Sequence, residues 1–388
     1  MTKSKSSTGL VEGKNMGSEI IIIGGGIAGL TTAWFLTKAG HTPTLIDFDP
    51  EGKKATLAAA GMICPVFETQ FEEQDLSRLF LESHSLWDSF AHDVIKQSGE
   101  DIDFQKNGSM LVAIDKDDEK DLLRHQNFYS SIGLETTFLD RSDVLKKVPS
   151  INPKISGALH AVNDYAVDNQ KLAQALTLAL KKRGVNFITE KKVTALDIVN
   201  NKICGLWLED IHIKCSQILL ATGVEKNISN LSDYIPLPIR GVKGQALLLK
   251  QNSKQFLNYI LRSMHRYPAY LVPRNDGHLV IGATSEEKTD FSFRAGNIMD
   301  LFWGASNILP GIEEMDFVKT WVGLRPALKD HKPLLGPSPI EGVSLALGLY
   351  RHGILLAPMV GSLMADFVLQ KKYSPYFDIF GYTDRTVI

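Results

Sequence analysis

The chain has 388 residues, 44% of them hydrophobic and 22% charged, with a formal net charge of −2. That length suits two domains, and the near-neutral balance offers no broad basic field for a nucleic acid or an anionic membrane. Its three cysteines, Cys64, Cys204 and Cys215, make no C-x-x-C pair, which argues against a disulfide framework or a zinc site and points to a reducing cytoplasm.

Residues 1–18 carry lysines but no apolar core, so they read as a disordered tail rather than a secretory signal, with Met16 an alternative start. Residues 20–23 are a continuous apolar run, fit for a strand buried on both faces. Gly24-Gly25-Gly26-Ile27-Ala28-Gly29 follows directly. It opens a helix over 28–39, with Leu30, Ala33, Trp34 and Leu36 at helical spacing and Gly40 at its end. A second short strand over 43–46 ends at Asp47. Beyond the small-residue segment 58–62, the spacing of Leu79, Phe80, Trp87 and Phe90 predicts an amphipathic helix over 76–94. A strand over 107–114 and a charged helix over 117–131 come next, and Asp168 is a good N-cap for a helix over 169–182. Four strand-like runs, 185–188, 192–199, 203–208 and 211–215, are close enough in sequence for an antiparallel meander. A run over 218–220 leads into Ala221-Thr222-Gly223. Further strands are expected over 245–249, 270–272 and 279–283, with a helix over 298–309. The apolar stretch 353–369 contains Pro358, Gly361 and Asp366 and is short for a membrane span, so it reads as a buried helix.

The glycine loop carries the first chemistry. A G-x-G-x-x-G sequence alone also fits an ordinary turn, but Gly24, Gly26 and Gly29 lie between a buried strand and a helix, where a backbone without side chains can approach a pyrophosphate. The helix start offers free N–H groups and a partial positive charge to the phosphates. Asp47 lies 47 − 24 = 23 residues beyond Gly24, near the spacing of about twenty expected of a ribose-binding acid. The loop does not by itself separate NAD from FAD. The mid-chain helix and meander, the Ala221–Gly223 segment and the lack of a second G-x-G-x-x-G point to FAD.

The segments IIIIGGGIAGLTTAWFL, AAAGMICP, YLVPRNDGHLVIGAT, WVGLRPALKDHKPLLGP and YRHGILLAPMVGSLMADFVL, with the Ala-Thr-Gly at 221–223, resemble the glycine oxidase and D-amino-acid oxidase family of flavoenzymes. The likeness is nearest to the glycine oxidases associated with thiamine biosynthesis. The resemblance implies an α/β fold: a Rossmann-type FAD-binding domain with a parallel sheet and a β-meander, and a second, substrate domain with a mixed, largely antiparallel sheet. The FAD domain is expected from 19–96, 157–225 and 321–373, the substrate domain from 97–156 and 226–320, and a C-terminal tail over 374–388.

By position, the resemblance gives Ile27 and Ala28 to the pyrophosphate and Asp47 and Phe48 to the adenosine. Ala55, Thr56, Ala60, Gly61 and Met62 would line the path to the flavin, and Val193 would meet the adenine. Leu349, Tyr350, Arg351, His352, Gly353, Ile354 and Leu355 would wrap the isoalloxazine ring. FAD is expected to be non-covalent, because the cysteine that related sarcosine oxidases attach to flavin has no counterpart here. Arg325 would bind the substrate carboxylate, with Arg351 beside it and Tyr270 donating a hydrogen bond.

Residue chemistry supports the same assignment. A guanidinium holds a carboxylate bidentately, so Arg325 could place a substrate α-carbon against a flavin. The ordinary alternative for Arg325 or Arg351 is an ion pair, and for Tyr270 it is packing. His265 and His352 have no triad or metal spacing, and no catalytic role is assigned to them. Ser285 and Pro268 depart from the methionine and histidine of the family pattern and leave the preferred substrate open. The expected reaction is oxidation of a small amino acid to an imine, with oxygen as acceptor. A dehydrogenase passing electrons to a quinone or other carrier, a flavin-binding subunit without catalysis, and a homo-oligomer all stay open.

Overall fold

The computed structural model describes residues 19–49, 51–71, 73–225, 228–251, 257–264, 268–370 and 372–383. The expected N-terminal tail, the alternative start at Met16 and His265 therefore lie outside the described residues.

The apolar run Ile20–Ile23 is the centre of the first sheet. Six strands follow the order Leu334–Pro337, Val343–Leu347, Gln217–Leu220, Ile20–Ile23, Thr44–Ile46, Asn186–Ile188. All neighbours in it are parallel except the Leu334–Pro337 edge. Both faces are covered, which is why the strands read as unbroken apolar runs. Helices Ile27–Lys38, Gln74–Ser98, Asn169–Lys182 and Ala357–Val368 pack on one face. On the other lies an antiparallel three-stranded meander, Val193–Val199, Lys202–Leu208 and Ile211–Lys214. The expected fourth meander strand, 185–188, is a correction: Asn186–Ile188 joins the main sheet, parallel to Thr44–Ile46. Only the three residues 183–185, with Gly184 at φ +84°, separate it from the preceding helix. A strand that leaves a crossover helix returns parallel to its sheet rather than starting a hairpin.

The second sheet has eight strands, in the order Asp316–Ala327, Arg240–Lys250, His278–Gly282, Tyr270–Pro273, Ile260–Ser263, Ser109–Ala113, Gly157–Ala161, Thr137–Asp140. Only Ile260–Ser263 and Ser109–Ala113 pair in parallel. Helix Ala295–Ile308 backs this sheet through Leu301 and Ile308, packed on Leu247, Leu271 and Ile281. Two strands fall differently from the expected division. Gly157–Ala161 belongs to this sheet, and Asp316–Ala327 runs unbroken through the boundary expected at 321.

The expected C-terminal tail also needs correction over its described part. Tyr376–Phe380 is a helix with Phe377 and Phe380 buried. Phe377 fills the space over Gly336, where a Cβ would come within 2.8 Å of the ring. Among the described residues no helix is long and apolar enough to cross a membrane. Truncating Phe377 to alanine should cost about 3–5 kcal/mol through the cavity it leaves. A urea unfolding midpoint equal to that of the parent chain would show that the segment is not part of the core.

Candidate active site

A cavity of about 770 Å³ lies between the two sheets. Of the residues expected around the cofactor and substrate, only Gly29 does not line it. Gly29 instead permits a close backbone crossing. A Cβ there would sit 1.9 Å from Gly24 O, so the helix can cross the loop only without one. Gly24, at φ +110°, also lies close to the end of the neighbouring strand, with a Cβ placed 2.3 Å from Ala221 O.

Helix Ile27–Lys38 starts at Gly26 with no side-chain cap and no acid in its first turn. Its positive end is therefore uncompensated toward the cavity, apart from the Thr56 hydroxyl that accepts from Ile27 N at 2.9 Å. Asp47 accepts from Gly25 N at 2.9 Å and forms an ion pair with Lys54. At Gly223 a Cβ would meet nothing within 4 Å. An open glycine-lined channel, an uncapped helix end and a carboxylate at the second strand fit the pyrophosphate and ribose of FAD. Cys64 does not line the cavity: burial pushes its thiol well up, and Sγ faces Tyr165 O at 3.9 Å.

Beyond the cradle, Tyr350 N donates to Pro326 O at 2.8 Å and ties the 349–355 stretch to the strand that carries Arg325. Leu355 O receives Ser83 Oγ at 2.7 Å and Trp87 Nε1 at 3.0 Å, so the helix Gln74–Ser98 fixes the turn entering Ala357–Val368.

The second sheet forms the floor, and glycines pave it. Gly244 and Gly323 face each other across two strands. A Cβ on Gly244 would fall 2.5 Å from Arg325 Nη2, so the guanidinium lies flat where a side chain would otherwise stand. Tyr270 pairs with Gly282 in the ladder, and its hydroxyl would be 2.3 Å from a Cβ on that glycine. Arg325 Nη1 and Nη2 both donate to Thr284 O at 3.1 Å. Nη1 also lies 3.5 Å from Lys243 O. Among the described residues no carboxylate comes within ion-pair distance of this guanidinium. Burial raises the Tyr270 phenol despite Arg325 nearby, so it stays a donor at neutral pH.

Arg351 is placed differently. Its Nε lies 2.8 Å from Glu68 Oε2, and Nη2 lies 3.3 Å from Glu73 Oε2. Gln70, with its amide oxygen turned inward, accepts from Arg351 Nη2 at 2.9 Å. The structure thus gives Arg351 the ion pair that was the ordinary alternative. Glu68 is 8% exposed and also holds Arg262 Nη1 at 2.7 Å through Oε1. The two guanidiniums keep Glu68 well below the usual carboxylate range against the burial that opposes it. His352 Nδ1 lies 3.4 Å from Glu68 Oε2, and burial lowers that imidazole, so it is neutral at pH 7. Sequence reasoning named neither Glu68 nor Arg262. Glu68 sits six residues beyond Met62 of the small-residue segment, and Arg262 stands in a strand with no motif.

Residues 19–367 match the family model described as FAD dependent oxidoreductase. The chain belongs to that family and is an FAD-dependent oxidoreductase. It is similar to the glycine oxidase of Geobacillus kaustophilus (strain HTA426), with 28% identity over 360 residues, 91% of this chain and 93% of that protein. The bifunctional protein ThiO/ThiG of Trichormus variabilis is 30% identical over 370 residues, which cover 95% of this chain and 55% of that one. The crystal structure of glycine oxidase from Geobacillus kaustophilus superposes with a TM-score of 0.86 at 28% identity, covering 94% of this chain and 98% of that chain.

Gly29→Ala is expected to yield folded protein that no longer retains FAD, because the added carbon displaces the loop from the helix. Titration of apoprotein with FAD, followed by quenching of flavin fluorescence, measures this. Affinity within about threefold of the parent, less than 1 kcal/mol, would show that the close crossing is not needed.

Proposed function

We propose that this enzyme oxidises a small amino acid, such as glycine, sarcosine or a D-amino acid, to its imine and, with oxygen, releases hydrogen peroxide. The observation that carries this reading is Arg325. It reaches into the cavity, its partners are carbonyl oxygens, and its charge meets no acid among the described residues. Carbonyls orient a guanidinium without neutralising it, so a substrate carboxylate is its natural counter-ion.

Bound FAD supplies the hydride acceptor. The residues of the chain do the rest. Arg325 anchors the carboxylate, and the Tyr270 hydroxyl, on the same floor, donates a second hydrogen bond to it. With that end fixed, the α-carbon would face the part of the cavity lined by the 349–355 stretch and the Ala60–Met62 segment, the residues that would hold the ring. Hydride leaves the α-carbon of an uncharged amine, and the proton of the ammonium form passes to solvent before the step. No strong protein base is required, because the cofactor performs the redox chemistry. The similarity to proteins named glycine oxidase supports the substrate class.

Arg325→Ala should lower kcat/KM by about two to nearly four decades, corresponding to about 3–5 kcal/mol for leaving a buried carboxylate unpaired. FAD should remain bound. Steady-state oxygen uptake and peroxide release with an amino-acid panel measure both parts. An unchanged kcat/KM contradicts the assignment of Arg325, and imine formation without peroxide transfers the acceptor role from oxygen to a carrier.

A further inference from the structure

Two side chains of the second sheet, neither of which lines the cavity, reach across to one short stretch of the cofactor half. Trp321 Nε1 donates to Ala58 O at 2.9 Å, and Arg274 Nη2 donates to Ala60 O at 2.8 Å. Each stands four residues from a residue of the proposed substrate floor: Trp321 before Arg325, and Arg274 after Tyr270. Trp321 and Arg325 share the strand Asp316–Ala327. Arg274 follows directly on Tyr270–Pro273, and its N–H continues that ladder by donating to His278 O at 2.8 Å. Side chains alternate along a strand, so positions four apart share a face at about 13 Å.

Arg274 is 4% exposed. A guanidinium that leaves water is costly unless its donors find acceptors, and here the acceptors come from the cofactor half. Nη1 donates to Val167 O at 3.1 Å, Nη2 also lies 3.4 Å from Asn169 Oδ1, and Nε lies 3.9 Å from Asp168. Asn169 Nδ2 in turn donates to Thr56 O at 2.8 Å, and Thr56 is the residue whose hydroxyl meets Ile27 N. One network therefore runs from the strand of Tyr270 to the start of the helix that faces the phosphates.

The stretch it grips has little else to locate it. Ala58, Ala60, Gly61 and Met62 line the cavity where the ring would lie. Met62–Ile63 pairs only with Tyr165–Ala166, a two-stranded ribbon outside both large sheets. Such a ribbon is marginal alone, so its height above the floor depends on what ties it there. Backbone contact completes the fit. A Cβ on Gly323 would lie 2.4 Å from that of Ala58, and one on Gly61, at φ +77°, would lie 1.8 Å from Val167 O.

We infer that Arg274 and Trp321 are positioning residues, which hold the 58–62 segment, and with it the flavin, in register with the floor that carries Arg325 and Tyr270. This rests on the amino-acid oxidation proposed above. Hydride transfer is sensitive to placement: an error of about 1 Å can cost about a hundredfold in rate. Substrate affinity belongs to Arg325 and Tyr270, which keep their own strands when the grip is loosened. The loss is therefore one of rate and not of substrate binding.

The test mixes FAD-loaded enzyme, without oxygen, with rising concentrations of an amino acid that bleaches the parent's flavin. The limiting rate and the substrate dissociation constant are then read separately. Arg274→Lys keeps the charge but cannot fork between Ala60 O and Val167 O. Its limiting rate is expected to fall about tenfold or more, with a dissociation constant within about threefold of the parent's. Trp321→Phe keeps an aromatic ring, loses the N–H donor, and is expected to show the same split with a fall of about threefold. Titration of apoprotein with FAD, followed by fluorescence quenching, should show weaker binding in both variants. Limiting rates equal to the parent's, or a loss confined to the dissociation constant, overturn the inference. If Arg274→Lys does not fold, Trp321→Phe decides alone. If no amino acid bleaches the parent's flavin, amino-acid oxidation itself fails, and FAD affinities equal to the parent's would then overturn the grip as well.

Discussion

The arrangement depends on one part-buried contact: the Arg325 guanidinium bonded to the carbonyl of Thr284. A carboxylate in the same position would orient the arginine and cancel its charge together. A carbonyl does only the first, so the site keeps a directed positive charge without filling it. That single difference of partner separates Arg325 from Arg351, whose guanidinium is held by Glu68 and Glu73.

Holding Arg325 there needs a floor with nothing standing on it. Gly244 and Gly282 remove the side chains that would block Arg325 and Tyr270, while Gly24 and Gly29 remove those that would block the opposite wall. The same economy governs both halves of the cavity: backbone comes close where a ligand must lie, and larger side chains reach in from strands and loops beside it. The two sheets are joined across the cleft where Trp321 Nε1 donates to Ala58 O at 2.9 Å and Tyr350 N donates to Pro326 O at 2.8 Å. Strand Asp316–Ala327 thereby couples the position of the carboxylate anchor to the segments that hold the cofactor.

The cofactor half was legible from the chain alone because its signals are local. Ile20–Ile23, the glycine loop and Asp47 fall within thirty residues and each has a direct physical meaning. Asp168 marked the start of its helix correctly, since an N-cap acts over three residues: its side chain accepts from Gln170 N and Lys171 N. Strand 186–188 was misplaced because the sequence shows that a run is β-like but not which neighbour it pairs with, and here the preceding helix decides. The substrate half was less legible for the same reason. Arg262 and Glu68 are 194 residues apart, and only the fold makes them partners. Arg351 could not be told from a substrate ligand by position, because the acids that neutralise it come from the 68–73 segment at the far end of the chain. Phe377 looked like part of a tail because the space it fills is created by Gly336, forty-one residues earlier.

The most direct measurement is whether reduction of the flavin depends on the substrate's α-carboxylate. Amino acids, their methyl esters and the corresponding simple amines can be mixed anaerobically with the FAD-loaded enzyme and the rate of bleaching followed. An anchoring Arg325 predicts fast bleaching by free amino acids and a loss of at least a hundredfold in second-order rate for the esters and amines. That loss should largely disappear in Arg325→Ala, because the free acids slow to the same level. Equal rates for acids and esters, or a carboxylate preference that survives removal of Arg325, would contradict it.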